Sequence, residues 1–199
     1  MPVPRRLLAT DMDRTLLPNG LQPPEADALD RFRQWAAARA GTHLAYVTGR
    51  HRALARTVMA DFQLPEPDWL VANVGTEIYP QGAAAPRGAR RDRPQGELDP
   101  AAVRAWAEAH LSGARRQEAA KQSPLKVSFY TAGAADPAAE QRRLEQALRE
   151  DGLRARVVVS FDETEDLGLV DFLAPASGTA RAVAFLRAHL GLAADAPLL

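Results

Sequence analysis

Two aspartates, Asp11 and Asp13, flank Met12 at the end of the apolar run Leu7-Leu8-Ala9-Thr10. Residues two apart on an extended strand share a face, so both carboxylates can meet one ligand at the strand's carboxyl end. Carboxylates that close repel until a cation or a shared proton relieves them, and magnesium is a hard cation suited to oxygen donors. One carboxylate can attack phosphorus while the other moves protons, so the pair points to phosphoryl transfer. Thr48-Gly49-Arg50 adds a second chemical cluster. Thr48 suits a helix N-cap, and a helix N-terminus is a natural place for phosphate.

The elements that must position these groups follow from hydrophobic spacing. A strand ends at Asp11, a helix is predicted from about Glu25 to Ala40, and His43 to Val47 reads as a buried strand. Leu54, Val58 and Phe62 share one face of a second helix, which Pro65 and Pro67 stop before a third strand from Trp69 to Asn73. Strands alternating with helices favour parallel pairing and right-handed crossovers, hence a doubly wound α/β core. Ligands in such sheets bind beyond the carboxyl ends of the strands, where Asp11, Thr48 and Asn73 all fall.

From Pro80 to Gly96 the pattern gives way to Gly, Ala, Pro and Arg, a loop leading out of the core. Asp99-Pro100 and Asp136-Pro137 then open two helices, ending near Leu111 and Glu150, with strands predicted at Lys126–Thr131 and Arg154–Phe161. This αβαβ order forms an inserted α+β domain over residues 80–170. The core resumes at Val170-Asp171-Phe172-Leu173 and a helix from Ser177 to Leu190. A further strand is expected to start at Asp195–Leu199. The core domain is therefore assigned to 1–79 and 171–199.

Composition narrows the chemistry. The 199 residues carry formal net charge zero and 46% hydrophobic residues, which fits a globular chain and gives no reason to expect a polyanionic partner such as nucleic acid. There is no cysteine, so disulfides, thiolate metal sites and cysteine nucleophiles are excluded, and any metal must use oxygen or histidine. No apolar run approaches membrane-spanning length, and the expected location is cytoplasmic with no membrane partner. Lysine occurs only at Lys121 and Lys126.

Other charged groups have plainer explanations. Arg50-His51-Arg52 is either a steering patch for an anion or the solvated start of a helix. Arg87 to Arg93 reads as an exposed loop, since no aromatics are interleaved. Asp162, Glu163, Glu165 and Asp166 read as a solvated hairpin rather than metal ligands. His43, His110 and His189 lack metal spacing.

The Asp11–Thr15 segment followed by Tyr46-Val47-Thr48-Gly49-Arg50 resembles the haloacid dehalogenase (HAD) superfamily. The resemblance narrows with Asn73-Val74-Gly75-Thr76-Glu77-Ile78-Tyr79, Gln122-Ser123-Pro124-Leu125, Lys126-Val127-Ser128-Phe129-Tyr130 and Val170-Asp171-Phe172-Leu173. Together these are similar to the sucrose-phosphate phosphatase family, over nearly the whole chain. The resemblance implies a HAD-like Rossmannoid parallel-sheet core with an inserted α+β cap, and a magnesium-dependent phosphatase of a sugar phosphate. It implies Asp11 as nucleophile, Asp13 as acid and base, and Mg2+ held by Asp11 and the Asp13 backbone carbonyl. Thr48, Gly49 and Thr179 would bind phosphate; Arg50, Gly75, Thr76, Glu77, Lys126 and Tyr130 would bind the sugar phosphate.

The sequence departs from that pattern twice. Where the family normally places a lysine, at the start of the helix after the Val-Asp-x-Leu strand, this chain has Thr179, with Arg181 two residues on. Family members also continue past the equivalent of Leu198-Leu199 into a Gly-Asp-Ser-x-Asn-Asp segment carrying further magnesium carboxylates, and this sequence ends first. An incomplete core and impaired turnover are the resulting expectations. The competing reading is a non-catalytic module that binds a sugar phosphate or a partner.

Overall fold

The computed structural model describes residues 6–19, 21, 23, 25–87, 98–163 and 165–192. The chain divides into two compact units, one formed by Met1–Asp92 with Thr179–Leu199 and the other by Arg93–Gly178.

In the first unit, strands β1 (Arg6–Thr10), β2 (Thr42–Val47) and β3 (Trp69–Ala72) pair in parallel, and β4 (Glu77–Pro80) returns antiparallel to β3. Alternation along the strands sends their side chains to two faces. Leu44, Tyr46 and Leu70 pack with Ala55, Val58 and Met59 of helix α2 (Arg52–Asp61) and with Leu29 and Phe32 of α1 (Ala28–Ala38). Leu7, Ala45, Val47 and Val71 pack on the other face against Ala182 and Leu186 of α5 (Thr179–His189). These layers align the carboxyl ends of three parallel strands, which is what brings Asp11, Thr48 and Asn73 to one edge. Among the described residues β1 is the outer strand of this sheet.

The second unit is a four-stranded antiparallel sheet with helices on one face. Its strands are β5 (Arg115–Arg116), β6 (Lys126–Thr131), β7 (Arg156–Asp162) and β8 (Leu167–Leu173), in the order β5-β6-β8-β7. Helices α3 (Pro100–His110) and α4 (Pro137–Glu150) supply Val103, Trp106, Leu144 and Leu148 to a core shared with Val127, Phe129, Val157, Val170 and Phe172. Both helices start as their sequence predicts. The Asp99 carboxylate accepts from the Ala101 and Ala102 amides at 3.0 Å, and the Asp136 carboxylate accepts from Ala139 at 2.9 Å, each with proline next in the chain.

The structure places the Val170–Leu173 strand in the second unit rather than in the core. Val170–Leu173 does not reopen the parallel core; it lies between β6 and β7, paired from Lys126↔Leu173 to Thr131↔Gly168 on one side and from Arg156↔Leu173 to Asp162↔Leu167 on the other. An apolar strand carries no mark of which sheet it will join, and here Val170 and Phe172 fill the second unit's core. Glu77–Pro80 folds back onto β3 and stays with the first unit. Asp162 ends β7 and pairs with Leu167 of β8, so Glu163, Glu165 and Asp166 fall between two paired strands, in keeping with their solvated-hairpin reading. The basic run beyond Arg87 and the strand expected at Asp195–Leu199 lie outside the described residues.

Candidate active site

Asp11 follows directly on β1, whose last residue pairs with Tyr46 of β2. The chain turns at once: the amides of Leu16 and Leu17 donate to the Met12 carbonyl at 3.0 and 2.8 Å, with Met12 fully buried beneath. The Met12 amide also donates to Asp11 Oδ1 at 2.7 Å. Desolvation pushes the Asp11 carboxyl above its ordinary pKa; the nearby Asp13 charge adds to the rise, while the Met12 and Asp13 amides and Arg50 oppose it.

Asp13 is gripped from two sides. Arg50 Nε lies 3.1 Å from Oδ1 and 3.0 Å from Oδ2, Arg50 Nη2 donates to Oδ1 at 2.6 Å, and Asn19 Nδ2 donates to Oδ1 at 2.6 Å. Arg50 was expected to meet substrate, and the structure instead pairs its guanidinium with Asp13. The reason is positional: the turn after β2 sets Arg50 beside the turn after β1. Asn19 was not identified from sequence. An asparagine in a Pro-Asn-Gly turn signals only a bend, and its contact with Asp13 depends on how that bend closes.

Thr48 is 1% exposed, its hydroxyl accepting from the Arg50 amide at 3.1 Å and its own amide donating to Val71 at 2.9 Å. His51, not Thr48, caps α2, with its side chain accepting from the Leu54 amide. A cavity of about 790 Å³ is lined by Asp11, Gly49, Thr179, Val183 and Arg187 among others. Thr179 opens α5, so the nucleophile candidate, an exposed glycine and a helix N-terminus share one concavity. Arg181 is exposed and lies off that lining, as its two-residue offset from Thr179 requires. Arg187 lines the cavity two turns further along, a position the sequence reading did not single out.

The Asn73–Gly75 turn is structural where a sugar contact was expected. Asn73, Val74 and Gly75 all have positive φ (50°, 57° and 81°), a conformation costly for the β-branched Val74. The Thr76 hydroxyl, buried, donates to the Asn73 carbonyl at 2.9 Å, and Gly75 is buried too. Both are committed to closing this turn. Glu77 accepts from the Tyr79 hydroxyl at 2.8 Å; burial, with Glu77 beside it, pushes the Tyr79 phenol well above its ordinary pKa. Among the described residues the buried Asn73 Oδ1 has no hydrogen-bond partner.

In the second unit, Lys126 is 3% exposed and its Nζ lies 3.8 Å from Asp171 Oδ1, which also accepts from the Ser128 hydroxyl at 2.5 Å. This is an internal ion pair, where a lysine facing sugar hydroxyls was expected. Tyr130 is more open: its hydroxyl donates to Glu118 at 2.9 Å and accepts from Lys121 Nζ at 2.7 Å, with the Arg115 guanidinium 4.4 Å from the ring centre. Burial works against the Lys121 ammonium, but the Tyr130 bond and the Glu118 charge outweigh it and raise the pKa.

Among the described residues no three His, Cys, Asp or Glu side chains gather into a metal site. What Asp11 and the Asp13 backbone carbonyl offer is an all-oxygen, partial donor set. That chemistry suits magnesium, which keeps several waters and shares phosphate oxygens rather than needing a full protein cage.

A mainly parallel α/β sheet, with an aspartate and a threonine at adjacent strand ends and a helix N-terminus sharing the aspartate's cavity, defines a HAD-like hydrolase fold. The solved structures agree: a sucrose-phosphatase from Synechocystis sp. PCC6803, in complex with sucrose and phosphate, superposes with TM-score 0.73 at 24% identity over 96% of this chain and 72% of that one. A HAD-like hydrolase from Bacillus subtilis gives TM-score 0.62 at 13% identity, over 94% and 79%. The profile of the sucrose-6F-phosphate phosphohydrolase family matches residues 4–199, and the chain belongs to that family. It is 35% identical to a HAD-like hydrolase of Nitrosococcus oceani over 90% of this chain and 49% of that protein. It is 28% identical to a mannosylfructose-phosphate phosphatase of Agrobacterium fabrum over 96% and 73%. The chain thus spans about half the length of the first relative and about three quarters of the second.

Proposed function

We propose that this chain hydrolyses a sugar phosphate monoester, sucrose 6-phosphate or a related hexose or disaccharide phosphate, through an aspartyl-phosphate on Asp11. The observation that carries the reading is the shared cavity of Asp11, Gly49 and the α5 N-terminus at Thr179. It puts a nucleophile beside backbone able to receive phosphate oxygens.

Asp11 Oδ2 attacks phosphorus while Oδ1 stays on the Met12 amide. Asp13 protonates the leaving sugar oxygen, then takes a proton from the water that releases phosphate from Asp11. Thr48, Gly49 and Thr179 receive the phosphoryl oxygens. Magnesium, held by Asp11 and the Asp13 carbonyl, would neutralise charge on those oxygens. We assign contact with the sugar hydroxyls to Glu77. The partner is a small molecule and the setting the cytoplasm, where sugar phosphates are exchanged.

Two observations favour a second reading, a module that binds sugar phosphate without turnover: Thr179 supplies no charge, and the described metal donors are few. Phosphate release from sucrose 6-phosphate, with and without Mg2+, separates the two. Hydrolysis requires a Mg2+-dependent rate abolished by Asp11→Asn. Equal rates in the two proteins, with calorimetry still showing sucrose 6-phosphate binding, would install the binding module instead.

A further inference from the structure

The grip on Asp13 is asymmetric, and the asymmetry bears on which oxygen moves the proton. We propose that Asn19 and Arg50 are positioning residues that lock Asp13 by Oδ1 and present Oδ2 as its working oxygen. The proposal rests on the acid/base reading of Asp13 given above.

Oδ1 accepts from Asn19 Nδ2 at 2.6 Å and Arg50 Nη2 at 2.6 Å, with Arg50 Nε at 3.1 Å; among the described residues Oδ2 meets only Arg50 Nε, at 3.0 Å. A carboxyl on a turn would otherwise rotate about two side-chain bonds. Each anchor is itself fixed. The Asn19 carbonyl oxygen accepts from the Arg14 amide at 2.9 Å, which closes a ring with Asp13 and orients the carboxamide. The Arg50 amide donates to Thr48 Oγ1 at 3.1 Å, and the Arg50 carbonyl accepts from the Asn73 amide at 2.9 Å. The clamp therefore ties Asp13 to the ends of both β2 and β3.

Oδ1 remains an acceptor whether or not Oδ2 carries a proton, so the clamp need not break during the cycle. In the first half-reaction the Oδ2 proton passes to the sugar oxygen as its bond to phosphorus breaks and the Asp11–phosphorus bond forms. In the second, Oδ2 takes a proton from water as the water oxygen bonds to phosphorus and the Asp11–phosphorus bond breaks, releasing inorganic phosphate. The proton account closes with Oδ2 protonated again.

The test compares leaving groups. Sucrose 6-phosphate needs its alkoxide protonated, whereas p-nitrophenolate leaves unaided, so the first turnover of p-nitrophenyl phosphate does not call on the acid. Asn19→Ala is expected to lower kcat on sucrose 6-phosphate by about 10- to 100-fold with KM changed less than about threefold, a fraction of the whole acid/base contribution. The rate of its p-nitrophenol burst should stay within about threefold of the parent. Arg50→Lys, which keeps charge but loses the two-nitrogen contact, should fall between the parent and Arg50→Ala. Asn19→Ser serves if Asn19→Ala does not fold. Equal losses on the burst and on the sugar phosphate, or a change in KM alone, overturn the positioning role. A parent protein no faster than Asp11→Asn on either substrate removes the phosphatase reading and this role with it; an active parent matched by its Asn19 and Arg50 variants removes this role alone.

Discussion

Replacing Lys126 with methionine keeps the apolar stem and deletes the ammonium, and it should destabilise the second unit by about 3 kcal/mol. The Nζ to Oδ1 separation of 3.8 Å corresponds to an attraction of about 4 kcal/mol at an effective dielectric near 20. Relief of the buried ammonium's desolvation returns part of that, while Asp171 is left charged. Removing one partner of a buried pair costs about 3–5 kcal/mol, and the 17% exposure of the Asp171 side chain, with the Ser128 hydroxyl still on it, places this case at the lower end. Removing both charges in Lys126→Met/Asp171→Leu should cost less than Lys126→Met alone, because Asp171 no longer stands charged without its ammonium. Ser128 Oγ can then turn to the Lys121 carbonyl, 3.3 Å away. Two compact units make a single whole-chain transition unsafe, so urea unfolding should be followed by Trp106 with Trp35 and Trp69 changed to phenylalanine. A cost below about 1 kcal/mol for Lys126→Met, with additive single changes, would refute the coupling and reopen Lys126 as a sugar contact.

Three further outcomes are expected. Phe172→Ala should lower the Trp106-reported stability by about 3–5 kcal/mol, because Phe172 fills the second core; no shift would return β8 to the first unit. Asp11→Asn should raise the melting temperature at pH 7 by on the order of 1 °C. The folded pKa of Asp11 lies above its unfolded value, so stability is lost as pH rises through that range, and the variant's advantage should fade as pH falls towards about 4. Thr179→Lys places a cation on the cavity that holds Asp11 and should tighten inorganic phosphate binding about fivefold in calorimetry, the scale of a charge interaction at a helix terminus.

The sequence by itself determined what depends on near neighbours. Apolar spacing set the strands and helices, Asp99-Pro100 and Asp136-Pro137 set two helix starts, and Asp11-x-Asp13 with Thr48-Gly49-Arg50 marked the strand ends that carry the site. Tertiary structure decided what depends on distant partners. Val170–Leu173 is equally apolar in either sheet, and only pairing with both β6 and β7 assigned it to the second unit. Arg50 and Lys126 carry charges whose targets, Asp13 and Asp171, are 37 and 45 residues away, so their chemistry could be named before their contacts could. Asn19 shows the same limit at short range: six residues separate it from Asp13, and only the closure of the turn turns a bend residue into the anchor of a carboxylate.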